Sequence, residues 1–142
     1  MLSDQPIVEA EPEELCIGDS RSVLIVDDDA GQTEILSFHL KKQGFTTLTE
    51  NSGKSGLKTA KDEHPDLIVL DIHMPDLSGL EICERLNDEI ATCNIPVIIL
   101  SGSDETDVVR QARLAGSRFF VRKPYDPNVL LTLIQSALGS DW

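Results

Sequence analysis

Residues 67–75 read LIVLDIHMP, four consecutive aliphatic residues that lead directly into an aspartate. An unbroken apolar run of this length, preceded by Pro65 and Asp66, is typical of a parallel strand buried on both faces. In an open α/β sheet, the carboxyl end of such a strand borders the ligand crevice. We therefore expect Asp71 to lie where a buried strand meets a site, although turn capping explains an isolated aspartate equally well.

The size and composition of the chain indicate one ordinary globular domain. Its 142 residues are enough for a real core, and 40% of them are hydrophobic. The formal net charge of −13 argues against direct binding to nucleic acid or to anionic membranes, because their phosphates would be repelled. No apolar run approaches the roughly 18 residues of a membrane span, and the acidic N-terminus does not resemble a signal peptide. We expect a cytoplasmic protein.

The cysteines agree with that location. Cys16, Cys83 and Cys93 are odd in number and form no CxxC pair. Free thiols in a reducing compartment explain them best, and a metal site built from them is not expected.

The first 20 residues differ in composition from the rest of the chain. They contain six acidic residues and two prolines, and they have no lysine or arginine. This composition is typical of a disordered acidic arm. We therefore divide the chain into an arm at residues 1–20 and one folded domain at residues 21–142.

From Ser22 onward, apolar strands alternate with helical segments. Asp126 followed by Pro127 is a typical helix start, and Gly44 and Gly116 are typical helix ends. Five such units with short connections predict a doubly wound parallel sheet. The strands are predicted at 23–26, 45–49, 67–70, 96–101 and 118–122, and the helices at about 30–43, 53–62, 78–89, 104–115 and 127–138.

Polar residues follow four of the predicted strands. They are Asp27 and Asp28 after the first strand, Asp71 after the third, Ser101 at the end of the fourth and Lys123 after the fifth. In a parallel sheet these ends share one edge, and clustered carboxylates repel one another unless a cation neutralises them. Carboxylate oxygens suit Mg²⁺, while a lysine and a hydroxyl can bind an incoming phosphoryl group.

Four motifs carry these residues: VLIVDDD at 23–29, LIVLDIHMPDLSGLE at 67–81, VIILSG at 97–102 and FFVRKPYD at 119–126. Together they resemble the receiver domain of two-component response regulators, over about residues 22–139. This resemblance implies an α/β fold, a doubly wound (βα)5 flavodoxin-like parallel sheet with strand order 2-1-3-4-5.

The resemblance implies that Asp71 is the phosphoacceptor. It would receive a phosphoryl group from a sensor histidine kinase, a phosphotransfer protein or a small donor such as acetyl phosphate. Mg²⁺, with Mn²⁺ as a substitute, would be bound by Asp28, by Asp71 and by the backbone carbonyl of His73, and by Asp27 through water. The chain would then be a signalling phosphoacceptor that catalyses only its own phosphorylation and dephosphorylation, and not an enzyme acting on other substrates.

The resemblance also assigns a switch. Lys123 would pair with Asp71 at rest and with the phosphoryl oxygens afterwards. Ser101 would hydrogen-bond a phosphoryl oxygen, and its movement would let Phe120 turn inward. In the family this remodels the face built from the fourth helix, the fifth strand and the fifth helix, where an output protein docks.

Two residues depart from the common pattern of the family. Phe120 lacks the hydroxyl of the tyrosine that many relatives carry, and Ser101 stands where threonine is commoner. The Lys123–Pro124 bond is expected to be cis, as in the family. His73 and Ser103 are expected to flank the path of the water that removes the phosphoryl group.

Two other function classes remain as alternatives. Gly53-Lys54-Ser55 resembles the end of a phosphate-binding loop in an NTPase, but Leu48 stands where that loop needs its first glycine. A receiver-like interaction module that is not phosphorylated is the second alternative, although such relatives usually lose an acid or the lysine. Only residues 139–142 follow the last predicted helix, so we expect either a stand-alone receiver or the receiver part of a longer protein.

Overall fold

The computed structural model describes residues 21–102 and 106–139. The predicted arm and Ser103 lie outside these ranges. In the described part of the chain five strands alternate with five helices, as predicted. They are β1 (Ser22–Val26), α1 (Ala30–Lys42), β2 (Thr46–Glu50), α2 (Gly53–Glu63), β3 (Leu67–Asp71), α3 (Gly79–Asp88), β4 (Val97–Ser101), α4 (Thr106–Leu114), β5 (Phe119–Arg122) and α5 (Pro127–Ala137).

The five strands form one parallel sheet in the order β2-β1-β3-β4-β5, which confirms the predicted fold. The strand order reverses beside β1, because β2 pairs with one of its edges and β3 with the other. Val26 is in register with Leu70, and Asp71 is in register with Leu100. The carboxyl ends of β1, β3 and β4 are therefore adjacent at the switch point of the sheet, where ligands of such folds bind.

Helices cover both faces of the sheet and create two apolar cores. Successive residues of a strand point to opposite faces, so Val23 and Ile25 belong to one core while Leu24 and Val26 belong to the other. This two-sided burial is the reason why the central strands read as unbroken apolar runs. Each fully buried aliphatic side chain contributes roughly 1.5–3 kcal/mol to folding.

Short polar side chains begin four of the helices in the described residues. Asp126 caps α5, as expected, and Asp29, Ser52 and Ser78 cap α1, α2 and α3. Each accepts a hydrogen bond from an amide of the first turn, which would otherwise lack a partner.

The boundaries and inner faces of the elements differ slightly from the predictions. Strand β2 begins one residue later than expected, because Phe45 is buried as part of the core before the strand starts. The apolar pattern of α3 predicts that Leu80, Cys83 and Leu86 face inward. Cys83 and Leu86 are buried, but Leu80 is only half-buried and Ile82 takes the inner position. A period of 3.6 residues explains this, since Ile82 lies one turn before Leu86.

Three further features concern β5, the peptide bond after Lys123 and the membrane. Phe119 and Phe120 lie on opposite faces of β5, each against a different core. The Lys123–Pro124 bond is cis. Among the helices that the structure describes, none has both the length and the hydropathy needed to cross a membrane.

Candidate functional site

Three carboxylates converge at the carboxyl edge of the sheet. Asp27, Asp28 and Asp71 each offer an oxygen, and these oxygens all lie within 4.8 Å of one another. Asp27 and Asp71 are buried, with 4% and 5% of their surfaces exposed, whereas Asp28 is exposed. Their approach follows from the register of β1 and β3, which brings the two strand ends side by side.

Lys123 bridges two of these carboxylates. Its Nζ atom donates to Asp27 Oδ2 at 3.0 Å and contacts Asp71 Oδ1 at 3.2 Å. The residue follows β5, and its backbone amide donates to the carbonyl of Ser101 at 2.7 Å. The lysine is therefore held at its backbone by β4 while its ammonium group reaches across to β1 and β3.

Burial and charge crowding perturb the protonation of this cluster. Burial raises the pKa of Asp71, and the neighbouring Asp27 raises it further, while Lys123 opposes the rise. For Lys123, burial alone would lower the pKa, but its hydrogen bonds and attraction to Asp27 and Asp71 outweigh that effect and raise it. The ammonium therefore stays charged at neutral pH, and three carboxylates face one cation.

This donor set fits a divalent cation. Hard carboxylate oxygens that lie close together are the protein ligands that Mg²⁺ prefers, with water or phosphate completing its shell. Both oxygens of Asp27 already have partners, because Oδ1 accepts from the amide of Asp29 at 3.0 Å and Oδ2 accepts from Lys123. Asp28 is exposed and faces solvent. The different surroundings of Asp27 and Asp28 favour a different role for each residue at a bound cation.

The other predicted residues surround this cluster. Ser101 is fully buried at the end of β4, next to β3. His73 is exposed, two residues after Asp71, and Phe120 is half-buried beside the core under α2, α3 and α4. The functional roles of these residues stay predictions.

Sequence reasoning missed two residues next to the site. The Nδ2 atom of Asn51 donates to the carbonyl of Asp27 at 2.8 Å. Asp76 accepts from the amide of Gly53 at 2.8 Å and from the amide of Lys54 at 2.9 Å. The hydrogen bonds from Lys54 and Gly53 lower the pKa of Asp76.

One signal could have suggested a partner like Asp76. Helix α2 has no acidic residue in its own first turn, although helix N-termini favour negative charge. The carboxylate that fills this place comes from the β3–α3 loop. The Asp76 carboxylate occupies the position at the start of α2 where an NTPase would bind a phosphate, so this helix start does not serve as a phosphate-binding site in the structure.

The sequence of this chain is similar to those of known proteins. The model of the response regulator receiver domain matches residues 23–135. The protein PilH of Pseudomonas aeruginosa is 38% identical over 118 residues, which cover 82% of this chain and 97% of PilH. The transcriptional regulatory protein CseB of Streptomyces coelicolor is 36% identical over 123 residues, or 86% of this chain and 51% of CseB. The chain spans about half the length of several curated relatives it matches.

A solved structure extends the similarity to three dimensions. The crystal structure of a CheY-like response regulator receiver domain protein from Methanospirillum hungatei superposes with a TM-score of 0.80 at 25% identity. The superposition covers 84% of this chain and 94% of that protein. The matched segment, residues 23–135, includes all three carboxylates and the lysine that meet at the sheet edge. The chain therefore belongs to the response regulator receiver domain family.

Proposed function

We propose that this chain accepts a phosphoryl group on Asp71, with Mg²⁺ as cofactor, and thereby changes a surface that binds an output protein. Receiver domains of two-component systems act in general as phosphoacceptors. The observation that carries the assignment is the position of Asp71. It is a buried carboxylate at the end of the central strand, beside two other carboxylates and 3.2 Å from the ammonium of Lys123.

The reaction is a displacement at phosphorus. A carboxylate oxygen of Asp71 attacks the phosphorus of a kinase phosphohistidine, or of a small donor such as acetyl phosphate. The new O–P bond forms while the bond from phosphorus to the histidine nitrogen or acetate oxygen breaks, and the electron pair leaves with the donor. The 3.2 Å contact between Lys123 and Asp71 supports a role for the lysine in pairing with a phosphoryl oxygen of the resulting aspartyl phosphate.

Mg²⁺ binding belongs to the same proposal. Receiver domains in general bind Mg²⁺ at a cluster of acidic residues, and this chain has such a cluster. We assign Asp28, Asp71 and the backbone carbonyl of His73 as ligands, and Asp27 as a ligand through water. The two hydrogen bonds on the carboxylate of Asp27 support its indirect role. When bound, Mg²⁺ or its substitute Mn²⁺ neutralises the carboxylates and the charge on the phosphoryl oxygens.

The output is proposed to pass through β5. Ser101 lies at the end of β4, and Phe120 on the neighbouring strand is half-buried. Since Phe120 has no hydroxyl, its rotation would act on a partner by ring packing. The partner face would consist of α4, β5 and α5, whose output protein is distinct from the kinase or phosphotransfer protein that supplies the phosphoryl group. We place the protein in the cytoplasm and expect no activity on other substrates.

The test is intact-mass spectrometry after incubation with acetyl phosphate, with Mg²⁺ or with EDTA. Wild-type protein should gain one phosphoryl group, and only with Mg²⁺. Asp71→Asn should gain none. Asp66→Asn is the matched control, because it changes an exposed aspartate just before the opposite end of the same strand, and it should label like wild type.

Two outcomes would contradict the proposal. Labelling of Asp71→Asn at the wild-type rate would move the phosphoacceptor elsewhere. Failure of the wild-type protein to label, with acetyl phosphate and with a phosphorylated kinase domain, would favour the interaction module that is not phosphorylated.

A further inference from the structure

The β2–α2 loop, taken here as residues 51–54 and so including the first two residues of α2, contacts the segment that carries Asp27. Asn51 Nδ2 donates to the carbonyl of Asp27 at 2.8 Å and lies 3.4 Å from Thr33 Oγ1 on α1. The amide of Asp27 donates to the carbonyl of Glu50 at 3.1 Å. The backbone of Asp27 is thus held on both sides by residues at the end of β2.

The same loop holds the segment that follows Asp71. Both carboxylate oxygens of Asp76 accept hydrogen bonds from the first two amides of α2, those of Gly53 and Lys54. The contact is close, since a Cβ atom on Gly53 would lie 2.8 Å from Ile82 Cδ1 and 2.9 Å from Leu77 Cβ. Only a residue without a side chain lets the two segments approach in this way.

The far end of that segment is fixed as well. The amide of Gly79 donates to the carbonyl of Ile72 at 2.9 Å, and a Cβ atom on Gly79 would lie 2.5 Å from the carbonyl oxygen of Asp71. The loop that contains His73 is therefore anchored at α3 by this close approach and at α2 by Asp76. Its path past the acidic cluster depends on both anchors.

We infer that Asn51 and Asp76 form a brace across the metal site, in which the loop at residues 51–54 holds the two ligand-bearing segments at the spacing that Mg²⁺ needs. This inference rests on the proposed function. Neither side chain belongs to the carboxylate cluster, so both are positioning residues. Partners that hydrogen-bond metal ligands directly typically affect affinity by 10- to 100-fold, and residues that act through the backbone of the ligand-bearing segments should fall at the lower end of that range.

Helix capping alone does not account for the arrangement. A carboxylate at the start of a helix stabilises that helix, which would explain Asp76 by itself. Asn51 caps no helix start in the described structure, and it donates to the carbonyl of a residue on a different segment. The loop therefore makes two independent contacts. One is with the segment that carries Asp27, and the other is with the segment that follows Asp71.

The experiment measures the Mg²⁺ dissociation constant of metal-free protein by calorimetry. Asn51→Ala and Asp76→Ala should each raise it about tenfold. Asn51 is uncharged, so its effect cannot come from a lost negative charge. Ser52→Ala is the matched control in the same loop, since it removes the cap of α2 without touching either segment, and it should leave the constant within about twofold of wild type.

A second control addresses charge. Asp62→Asn removes one negative charge near the other end of α2, where Asp62 pairs with Lys58, and should also leave Mg²⁺ affinity nearly unchanged. Urea unfolding and amide hydrogen exchange in EDTA supply readouts independent of the metal. All variants should unfold cooperatively, and the amides of Gly53 and Lys54 should exchange faster in Asp76→Ala.

The outcomes separate the brace from the proposed function. If wild type binds Mg²⁺ and either Asn51→Ala or Asp76→Ala binds it equally well, the brace is overturned and the proposed function stands. The brace is also overturned if Ser52→Ala raises the Mg²⁺ dissociation constant as much as the two test variants do, because this would show a general effect of loosening the loop. If wild type itself does not bind Mg²⁺, the proposed function fails and this inference fails with it.

Discussion

Asp71 is the last residue of β3 and Asp76 lies in the loop that follows it, and the surroundings of these two carboxylates are opposite. Asp71 is buried, and burial followed by the charge of Asp27 raises its pKa. Asp76 is exposed, and hydrogen bonds from the amides of Lys54 and Gly53 lower its pKa. The fold disfavours the charged form of the first carboxylate and favours the charged form of the second.

The comparison shows that the electrostatic cost of a buried charge falls on the carboxylate at the site, Asp71, and not on the carboxylate in the loop, Asp76. A carboxylate that only has to hold a loop in place can sit where the backbone satisfies it fully. A carboxylate that must meet a cation and a phosphoryl group lies among like charges until its ligand arrives.

The largest effect is expected from removing the cation beside Asp71. Lys123→Met should slow labelling by acetyl phosphate about 100-fold, because a preorganised donor to the transferred group is lost. The measurement is the initial rate of phosphorylation at saturating Mg²⁺. Lys54→Met is the control, since its exposed side chain lies on the Asp76 side of the contrast and only its backbone amide is used there. Equal labelling rates in Lys123→Met and Lys54→Met would show that Lys123 takes no part in phosphoryl transfer.

A smaller effect, of several-fold, is expected at His73. This exposed side chain lies two residues after Asp71 and should obstruct the water that removes the phosphoryl group. His73→Ala should therefore lose the phosphoryl group faster, and Ser103→Ala should change little. The loss of the phosphoryl group is followed in excess Mg²⁺ by intact-mass spectrometry for wild type and for each variant. Slower loss in His73→Ala than in wild type would show instead that His73 orients water.

The contrast also marks how far the sequence can predict this site. Asp27, Asp28, Asp71 and Lys123 could be found because each comes directly after a predicted strand. Parallel strands of a doubly wound sheet end at one edge, so position along the chain translates into proximity. No side-chain detail was needed to place these groups together.

Asn51 and Asp76 could not be found in that way. Asp76 lies in the middle of a loop, and its partners belong to a helix more than 20 residues earlier in the chain. Such a contact depends on how two loops pack, and no periodicity encodes loop packing. The predicted start of β2 was wrong for a related reason. Phe45 is a residue type common in strands, but it is buried in the core before the strand begins.

Charge crowding should be measurable in the metal-free protein. Asp71→Asn should raise the free energy of unfolding in EDTA at neutral pH by about 1 kcal/mol, because it removes a buried charge beside Asp27. Asp28→Asn should stabilise less, since Asp28 is exposed. Mg²⁺ should raise the melting temperature of wild type by binding the native state, and Asp71→Asn should lose most of that rise. Charge crowding is contradicted if Mg²⁺ does not change the melting temperature of wild type and Asp71→Asn does not raise the free energy of unfolding.

The smallest expected effect is a pair of opposite pH dependences. The pKa of Asp71 is raised above its ordinary value of 3.8, so the native state binds this proton more tightly than the unfolded state does. Its contribution to stability is therefore present below 3.8 and is lost as the pH rises through the native pKa. The pKa of Asp76 is lowered below 3.8, so its contribution is present above 3.8 and is lost as the pH falls through the native pKa. Urea unfolding in EDTA from about pH 3 to pH 7 should show wild type losing stability relative to Asp71→Asn as the pH rises, and gaining stability relative to Asp76→Asn. Two differences that change with pH in the same direction would mean that the two carboxylates do not have the opposite surroundings described here.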